Sequence, residues 1–304
     1  ISEPHLNRSV QSEFARDPRV TVVRYGSAAY LRALATSQYL INNATFPPDF
    51  AKRPGQQYIN TWHGTPLKKM GYDMPGGAKE SANVIRNFVA ADFLISANPL
   101  MTDMYWRAYR LKGIYRGTII EEGYPRIDRQ VLTSTAITAE RKKLIEAGLP
   151  IGDRKIILYA PTWKGATFAR PTDDLDALAD NVAELAGLIN SDEYVVLLKT
   201  HQSIYSLGRD RPDVRDTLVP NNIPTNVVLG LTTILVTDYS SIAGDFLATG
   251  RPILYFIPDF AEYDGTRGMY ADPDDWPGPI CTSVQDLANA ISSVSSPSGT
   301  VVGR

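Results

Sequence analysis

The stretch ILVTDYSSIAGDFLATGRPILYF, residues 234–256, decides the fold. An apolar run at its start ends in the polar turn 237–241, helical spacing continues to Gly250, and Pro252 opens a second apolar run. This order predicts strand, turn, helix and strand. In such a unit the turn lies at the carboxyl end of a parallel strand, and the next helix starts with backbone N–H groups that lack helical partners. The stretch therefore predicts an anion site, although its serines also suit an ordinary helix N-cap.

Composition limits the classes of protein to which the chain can belong. Its 304 residues suit two domains, and 43% hydrophobic with 21% charged residues is typical of a globular protein. A net charge of −2 gives no overall basic field for nucleic acid. The single cysteine, Cys281, excludes an internal disulfide framework and fits the cytoplasm. The chain begins at Ile1 rather than Met, which predicts that it was cut from a longer protein.

Apolar runs of strand type alternate with helical spacing along both halves of the chain, as in doubly wound α/β domains. The Gly- and Pro-containing segment 148–153 predicts a hinge, which divides the chain into domains 1–149 and 150–304. Predicted strands are 20–25, 39–41, 58–62, 93–95, 118–124, 155–159, 194–199, 234–236 and a run after Pro252. Predicted helices are 28–37, 79–91, 99–110, 136–147, 173–189, 227–231, 283–294 and the segment that follows turn 237–241.

Two of the three histidines, His63 and His201, each follow a predicted strand, one in each half. Either could be a structural histidine. A histidine in this position could also accept a proton from an attacking hydroxyl or stabilise charge on a leaving phosphate. Neither has a second ligand at the spacing usual for zinc, so no metal site is predicted.

Basic residues lie beside the predicted turns, where a pyrophosphate would need several charge-assisted contacts. Solvated surface lysines are the alternative interpretation. No glycine-rich fingerprint of a nucleoside triphosphatase or a dinucleotide-binding enzyme occurs, which argues against both classes. The basic residues are Lys68, Lys69, Lys164, Lys199 and Arg267.

Six motifs occur in a fixed order and together resemble the CDP-glycerol glycerophosphotransferase family of teichoic acid primases and polymerases. The resemblance covers roughly residues 41–279, and six ordered motifs are far more specific than one. The motifs are 62–68 (WHGTPLK), 123–128 (GYPRID), 160–163 (APTW), 199–201 (KTH), 237–241 (TDYSS) and 267–270 (RGMY) through 277–279 (PGP).

The resemblance implies a GT-B fold, in which two Rossmann-like domains flank a cleft, with 1–149 on the acceptor side and 150–304 binding the CDP donor. It implies transfer of glycerol phosphate, or a related polyol phosphate, from CDP-glycerol to a hydroxyl of a lipid-linked or polymeric acceptor in teichoic acid or capsule synthesis. CMP is released, and no cofactor and no nucleic acid take part. The resemblance also implies peripheral contact with the inner face of the plasma membrane. The predicted helix 99–112, with its basic and aromatic residues, is a candidate surface for this contact; the alternative is a half-buried helix with solvated arginines.

The resemblance also implies roles for single residues. His63 would be the general base, His201 would steady the donor pyrophosphate, and Asp245 is interpreted as facing the opposite domain. Gln202 stands where the family usually has proline, which predicts a more flexible loop at His201. Donor-binding residues would be Ser240, Ser241, Thr162, Lys164, Arg267 and Asp238. Acceptor or supporting residues would be Gly64, Thr65, Lys68 and Arg126.

Two other functions stay open from the residues alone. A GT-B glycosyltransferase that uses a nucleotide sugar would share the fold and the phosphate site. A non-catalytic domain of a larger assembly protein would bind nucleotide or polymer without turnover. The donor polyol, the acceptor, and the choice between primase and polymerase also stay open.

Overall fold

A computed structural model describes residues 14, 16–74, 76–162, 165–167, 170–171, 175–260 and 268–295. The described chain divides into two compact units. Unit 1 comprises the residues up to Thr65 and the segment Lys69–Tyr124, and unit 2 comprises Pro66–Lys68 and the residues from Pro125 onward.

Unit 1 is built on a four-stranded parallel sheet in the order β1-β2-β3-β4. Its strands are β1 (Tyr39–Asn42), β2 (Gln57–Asn60), β3 (Phe93–Ser96) and β4 (Thr118–Glu121). Its helices are α1 (Ala28–Thr36), α2 (Gly77–Glu80), α3 (Ala82–Ala90) and α4 (Pro99–Arg107), with a 3-10 turn at Gly71–Asp73.

An aromatic cluster fills the core of unit 1. Phe88 of α3 meets the rings of Trp62, Tyr105 and Tyr109 edge to face, with ring centroids 5.0–5.1 Å apart. Edge-to-face packing is favourable because the positive ring edge meets the negative ring face. The cluster joins α3 and α4 to the turn after β2, and that turn carries His63.

The prediction of a strand at 20–25 is wrong, because the structure forms no ladder there. Val20 and Tyr25 are exposed. A β-branched run favours a strand where it can pack on a half-buried pleated surface, and this run pairs with no other strand among the described residues.

Unit 2 contains a five-stranded parallel sheet in the order β11-β10-β9-β5-β8, and a short antiparallel pair, β6 and β7. The strands are β5 (Lys155–Ala160), β6 (Gly165–Thr167), β7 (Arg170–Pro171), β8 (Tyr194–Leu198), β9 (Thr232–Thr237), β10 (Ile253–Phe256) and β11 (Ile280–Cys281). The helices are α5 (Ser134–Glu146), α6 (Leu175–Leu188), α7 (Gln202–Gly208), α8 (Thr225–Leu231), α9 (Ile242–Leu247) and α10 (Val284–Ser295), with 3-10 turns at Pro125–Gln130 and Pro273–Asp275.

The strand order of unit 2 contains a topological switch point. The sheet starts at β5, adds β8 on one side, and then places β9 on the other side of β5. This is the doubly wound order in which ligands bind outside the carboxyl ends of the strands at the switch point. A ligand is therefore expected at the carboxyl ends of β5 and β9.

Helices cover both faces of the unit 2 sheet. Ile156 and Leu158 of β5 enter one buried cluster, which α5, α8 and α9 also supply, whereas Ile157 and Tyr159 enter a second cluster with α6 and α10. Burial on both faces explains why these strands are continuous apolar runs. The α/β prediction is therefore confirmed. Because Leu144 and Leu149 belong to the core of unit 2, the division falls at Tyr124 rather than at the hinge near 149.

Candidate active site

The carboxyl ends of β5 and β9 are joined by direct hydrogen bonds. The backbone N–H of Thr162 donates to Oδ1 of Asp238 at 2.6 Å, and Oγ1 of Thr237 donates to the carbonyl of Ala160 at 2.7 Å. Both bonds cross the switch point. The buried carboxylate of Asp238 therefore holds the turn after β5 against the turn after β9.

Two buried threonine hydroxyls at this edge have no hydrogen-bond partner among the described residues. They belong to Thr162, 9% exposed, and Thr200, 8% exposed, which follow the neighbouring strands β5 and β8. An unsatisfied buried polar group costs about 1–3 kcal/mol, so such a group indicates a site for a polar ligand atom. The sequence predicted Thr162 as a site residue but not Thr200, although Thr200 lies in the motif 199–201 directly before His201.

The serine turn differs from its prediction in two respects. The helix that follows, α9, has six residues and ends at Leu247, well before Gly250. The N–H groups expected to be unpaired already have local acceptors: that of Ile242 donates to Ser240 Oγ at 3.4 Å, and those of the next two residues donate to the carbonyls of Ser240 and Ser241. Since the turn uses its own donors, an anion here would depend on the two partly exposed hydroxyls.

His201 follows β8 and stands directly before α7. Its backbone carbonyl accepts from Ile204 and Tyr205, so the first turn of α7 is anchored at this residue. Beside it, Lys199 is only 8% exposed, and its Nζ donates to the carbonyl of Pro220 at 3.1 Å. Burial lowers the pKa of Lys199 to about 8.

His63 lies in unit 1, after β2, with an exposed ring. Its Nδ1 is 2.7 Å from the carbonyl oxygen of Asn43, which can only accept, so Nδ1 carries the proton. In the neutral ring Nε2 then holds the lone pair that a general base needs. The ring also packs on Trp62, with centroids 4.2 Å apart. Trp62 has a left-handed backbone, φ 49, a conformation that often marks functional sites.

The residues after His63 support this turn. Gly64 and Thr65 are buried, and Thr65 Oγ1 accepts from Asn98 at 3.1 Å. Lys68 belongs to unit 2, where it forms an antiparallel bridge with Met269. Gly64 and Thr65 are therefore buried parts of the turn in unit 1, whereas Lys68 lies beside the segment that follows Arg267.

The remaining predicted residues divide into two groups. Arg126 forms a two-bond ion pair with Asp245, and both residues belong to unit 2. Lys164 and Arg267 lie outside the described residues. The described part of the chain contains no group of three or more His, Cys, Asp or Glu side chains that could hold a metal ion.

A family model described as CDP-Glycerol:Poly(glycerophosphate) glycerophosphotransferase matches residues 7–300. The chain belongs to this family. The family predicted from the six motifs is confirmed.

Curated relatives of the chain are teichoic acid enzymes. It is 34% identical over 287 residues to a teichoic acid poly(glycerol phosphate) polymerase of Bacillus subtilis (strain 168), a match that covers 89% of the chain and 37% of the relative. It is 31% identical over 288 residues to a teichoic acid glycerol-phosphate transferase of Staphylococcus aureus (strain NCTC 8325 / PS 47), covering 90% of the chain and 71% of the relative. The chain therefore spans little more than a third of the Bacillus subtilis relative.

Solved structures of the wall teichoic acid polymerase TagF share the fold. A histidine-to-alanine variant superposes with a TM-score of 0.72 at 29% identity, over 95% of this chain and 76% of the other. A histidine-to-asparagine variant soaked with CDPG gives a TM-score of 0.70 at 28% identity, over 94% and 73–74% of the two chains. With two parallel, Rossmann-like α/β units in this chain, the GT-B fold class is confirmed.

Proposed function

We propose that the chain transfers glycerol phosphate, or a related polyol phosphate, from a CDP-activated donor to a hydroxyl of a teichoic acid-type acceptor. The family match supports the reaction class. The structural observation that carries the proposal is the buried hydroxyl of Thr162 at the switch point of unit 2, which has no hydrogen-bond partner in the described part of the chain and which a donor oxygen would satisfy.

The chemistry needs a base at the acceptor and fixed hydrogen-bond donors at the phosphate. The acceptor oxygen attacks the polyol phosphorus while its proton passes to Nε2 of His63. The phosphorus–oxygen bond to CMP breaks, and CMP leaves with the bonding electron pair. His201 would stabilise the charge that develops on this leaving group.

The donor phosphates would be bound by hydroxyls and by cations. Thr162, Ser240 and Ser241 supply the hydroxyls, with Lys164 and Arg267 as the proposed cations. Asp238 has a different role, since its buried carboxylate already accepts the Thr162 N–H at 2.6 Å. It would act on the donor by holding the turn that presents Thr162.

On the acceptor side, Gly64 and Thr65 would shape the His63 turn, and Lys68 would add positive charge. We propose that the acceptor is polymeric or lipid-linked and that the chain meets the membrane peripherally. None of the described helices has the length and hydropathy that a membrane crossing requires.

Within the predicted surface 99–112, Tyr105 and Tyr109 are buried, which favours the half-buried alternative for that helix. The loop after it is a better candidate: Lys112 and Arg116 are exposed, and Ile114 between them is 49% exposed. A basic loop with an apolar tip fits an anionic lipid surface. We expect Lys112→Glu with Arg116→Glu to abolish flotation with anionic vesicles, and equal flotation of the variant would exclude this loop.

The donor is tested by nucleotide release. The purified chain is offered CDP-glycerol, CDP-ribitol or UDP-glucose with a short glycerol phosphate acceptor, and CMP and UDP are quantified. We expect acceptor-dependent CMP release from a CDP-polyol, and a loss of about 10²–10⁴ in turnover for His63→Gln. Lys155→Gln, at the amino end of β5, is the control. Release of UDP alone, or no release from any donor by folded protein, would overturn the proposal.

A further inference from the structure

Asp245 of α9 is the meeting point of three side chains from two other segments. Its carboxylate accepts from Arg126 Nε at 2.7 Å and Nη2 at 2.8 Å, and from Asn226 Nδ2 at 3.4 Å. Its backbone carbonyl accepts from Gln130 Nε2 at 3.1 Å. Arg126 and Gln130 lie on the 3-10 turn Pro125–Gln130, and Asn226 lies on α8. Asp245 itself is 7% exposed, so its carboxylate is largely screened from solvent.

The hydrogen bonds to Asp245 restrain α9, a helix whose orientation depends on its contacts. With six residues, α9 is too short to be stable alone, so packing contacts set its orientation. Phe246 holds the other side of the helix: its ring is buried and lies 5.2 Å from the guanidinium carbon of Arg251. Arg251 in turn donates to the carbonyls of Gly230 and Leu229.

The serine turn is continuous with this helix. Ser241 is the N-cap residue of α9, and Asp245 follows four residues later, which places the two on the same side of the helix. A two-bond contact between a planar guanidinium and a carboxylate fixes both distance and rotation, whereas a single bond leaves rotation open. The Arg126 contact therefore restrains the rotation of α9, the helix whose N-cap is Ser241.

We propose that Arg126 and Asp245 form a positioning pair that sets the donor affinity of the serine turn, and that Arg126 has no direct role in acceptor binding. This inference rests on the proposed function, because it takes the serine turn as part of the donor site. It gives Arg126 a role that the sequence motif 123–128 did not reveal.

The first test uses Arg126→Lys, which keeps the charge but loses the two-bond geometry. Donor and acceptor KM are measured separately for CMP release. We expect the donor KM to rise roughly tenfold, as for the loss of one charge-assisted hydrogen bond, with acceptor KM and kcat within about threefold of wild type. Arg211→Lys, whose partners Asp176 and Asp213 are exposed, is the matched control and should leave both constants unchanged. A rise in acceptor KM alone would overturn the proposal.

The second test asks whether the two residues act as one unit. In a cycle of Arg126→Gln, Asp245→Asn and the double variant, we expect the double variant to raise the donor dissociation constant no more than the stronger single variant. Additive effects would overturn the pairing.

Direct binding of CDP-glycerol, measured by calorimetry below the unfolding temperature, separates this proposal from the proposed function. If wild type binds no donor, both fail. If wild type and Arg126→Lys bind the donor equally, only the positioning pair fails.

Discussion

Replacing Lys199 by methionine isolates the free-energy cost of a buried ammonium group. Burial lowers its pKa from 10.5 to about 8. Each pKa unit corresponds to about 1.4 kcal/mol, so keeping this group protonated in the folded chain costs roughly 3 kcal/mol below pH 8. Methionine has a similar unbranched side chain and no charge to desolvate.

The sign of the pH dependence follows from proton counts. Between about pH 8 and 10.5 the unfolded chain binds more protons at this site than the folded chain, so this residue makes the wild type more stable as pH rises. Methionine also loses the bonds from Nζ to Pro220 and Asn221, but the carbonyl and amide acceptors do not titrate. That loss is an offset that is constant with pH.

The measurement is urea unfolding of both proteins between pH 7 and 9.5, followed by tryptophan fluorescence. We expect the unfolding free energy of wild type to rise by about 2 kcal/mol relative to Lys199→Met over this range. The control is Lys155→Met: the hydrogen bond to exposed Glu193 raises the pKa of Lys155, which moves its titration further above the measured range, so this replacement should change the unfolding free energy by an amount that is almost constant with pH. A difference between wild type and Lys199→Met that does not change with pH would refute a buried, weakly basic Lys199.

Three further outcomes are expected. Thr162→Val should weaken donor binding in calorimetry without lowering the thermal unfolding midpoint, because its Oγ1 has no partner among the described residues. Thr237→Val should lower that midpoint, because its Oγ1 donates to a carbonyl of β5. The Cys281 thiol, whose pKa burial raises to about 11, should react with a disulfide reagent at pH 8 only after unfolding; rapid reaction of folded protein would contradict this. Gly71→Ala should lower the unfolding free energy by more than about 1 kcal/mol, because the added Cβ would lie 2.3 Å from a carbonyl oxygen. Gly76→Ala should cost less, since Gly76 also has a left-handed φ but open space around the added Cβ. Equal losses of stability in the two variants would show that backbone strain acts alone.

Local sequence patterns predicted the sheet of unit 2 well because its strands are buried on both faces. A continuous apolar run such as 155–159 carries that signal within a few residues. The run 20–25 is also rich in β-branched residues, but whether it forms a strand depends on the presence of a neighbouring surface, and composition does not report that.

His63 and His201 were predicted as site residues because each follows a strand, whereas Thr162 was predicted from the family resemblance; these roles stay predictions. The partnership of Arg126 with Asp245 joins residues 119 positions apart, so no spacing rule could indicate it. The local hydrogen bonds of the serine turn were not predicted for a similar reason, because bonds between backbone groups do not depend on which side chains are present.

The short segment Pro66–Lys68 makes the two units discontinuous in sequence. The carbonyl of Leu67 accepts from Tyr270, and the side chain of Leu67 packs against the core of unit 2, although the chain on either side belongs to unit 1. A fragment that starts at Pro125 would therefore lose part of its own apolar packing. Neither unit can be obtained intact by a single cut, so a gene fragment for unit 2 must carry residues 66–68 on a linker or supply them as a peptide.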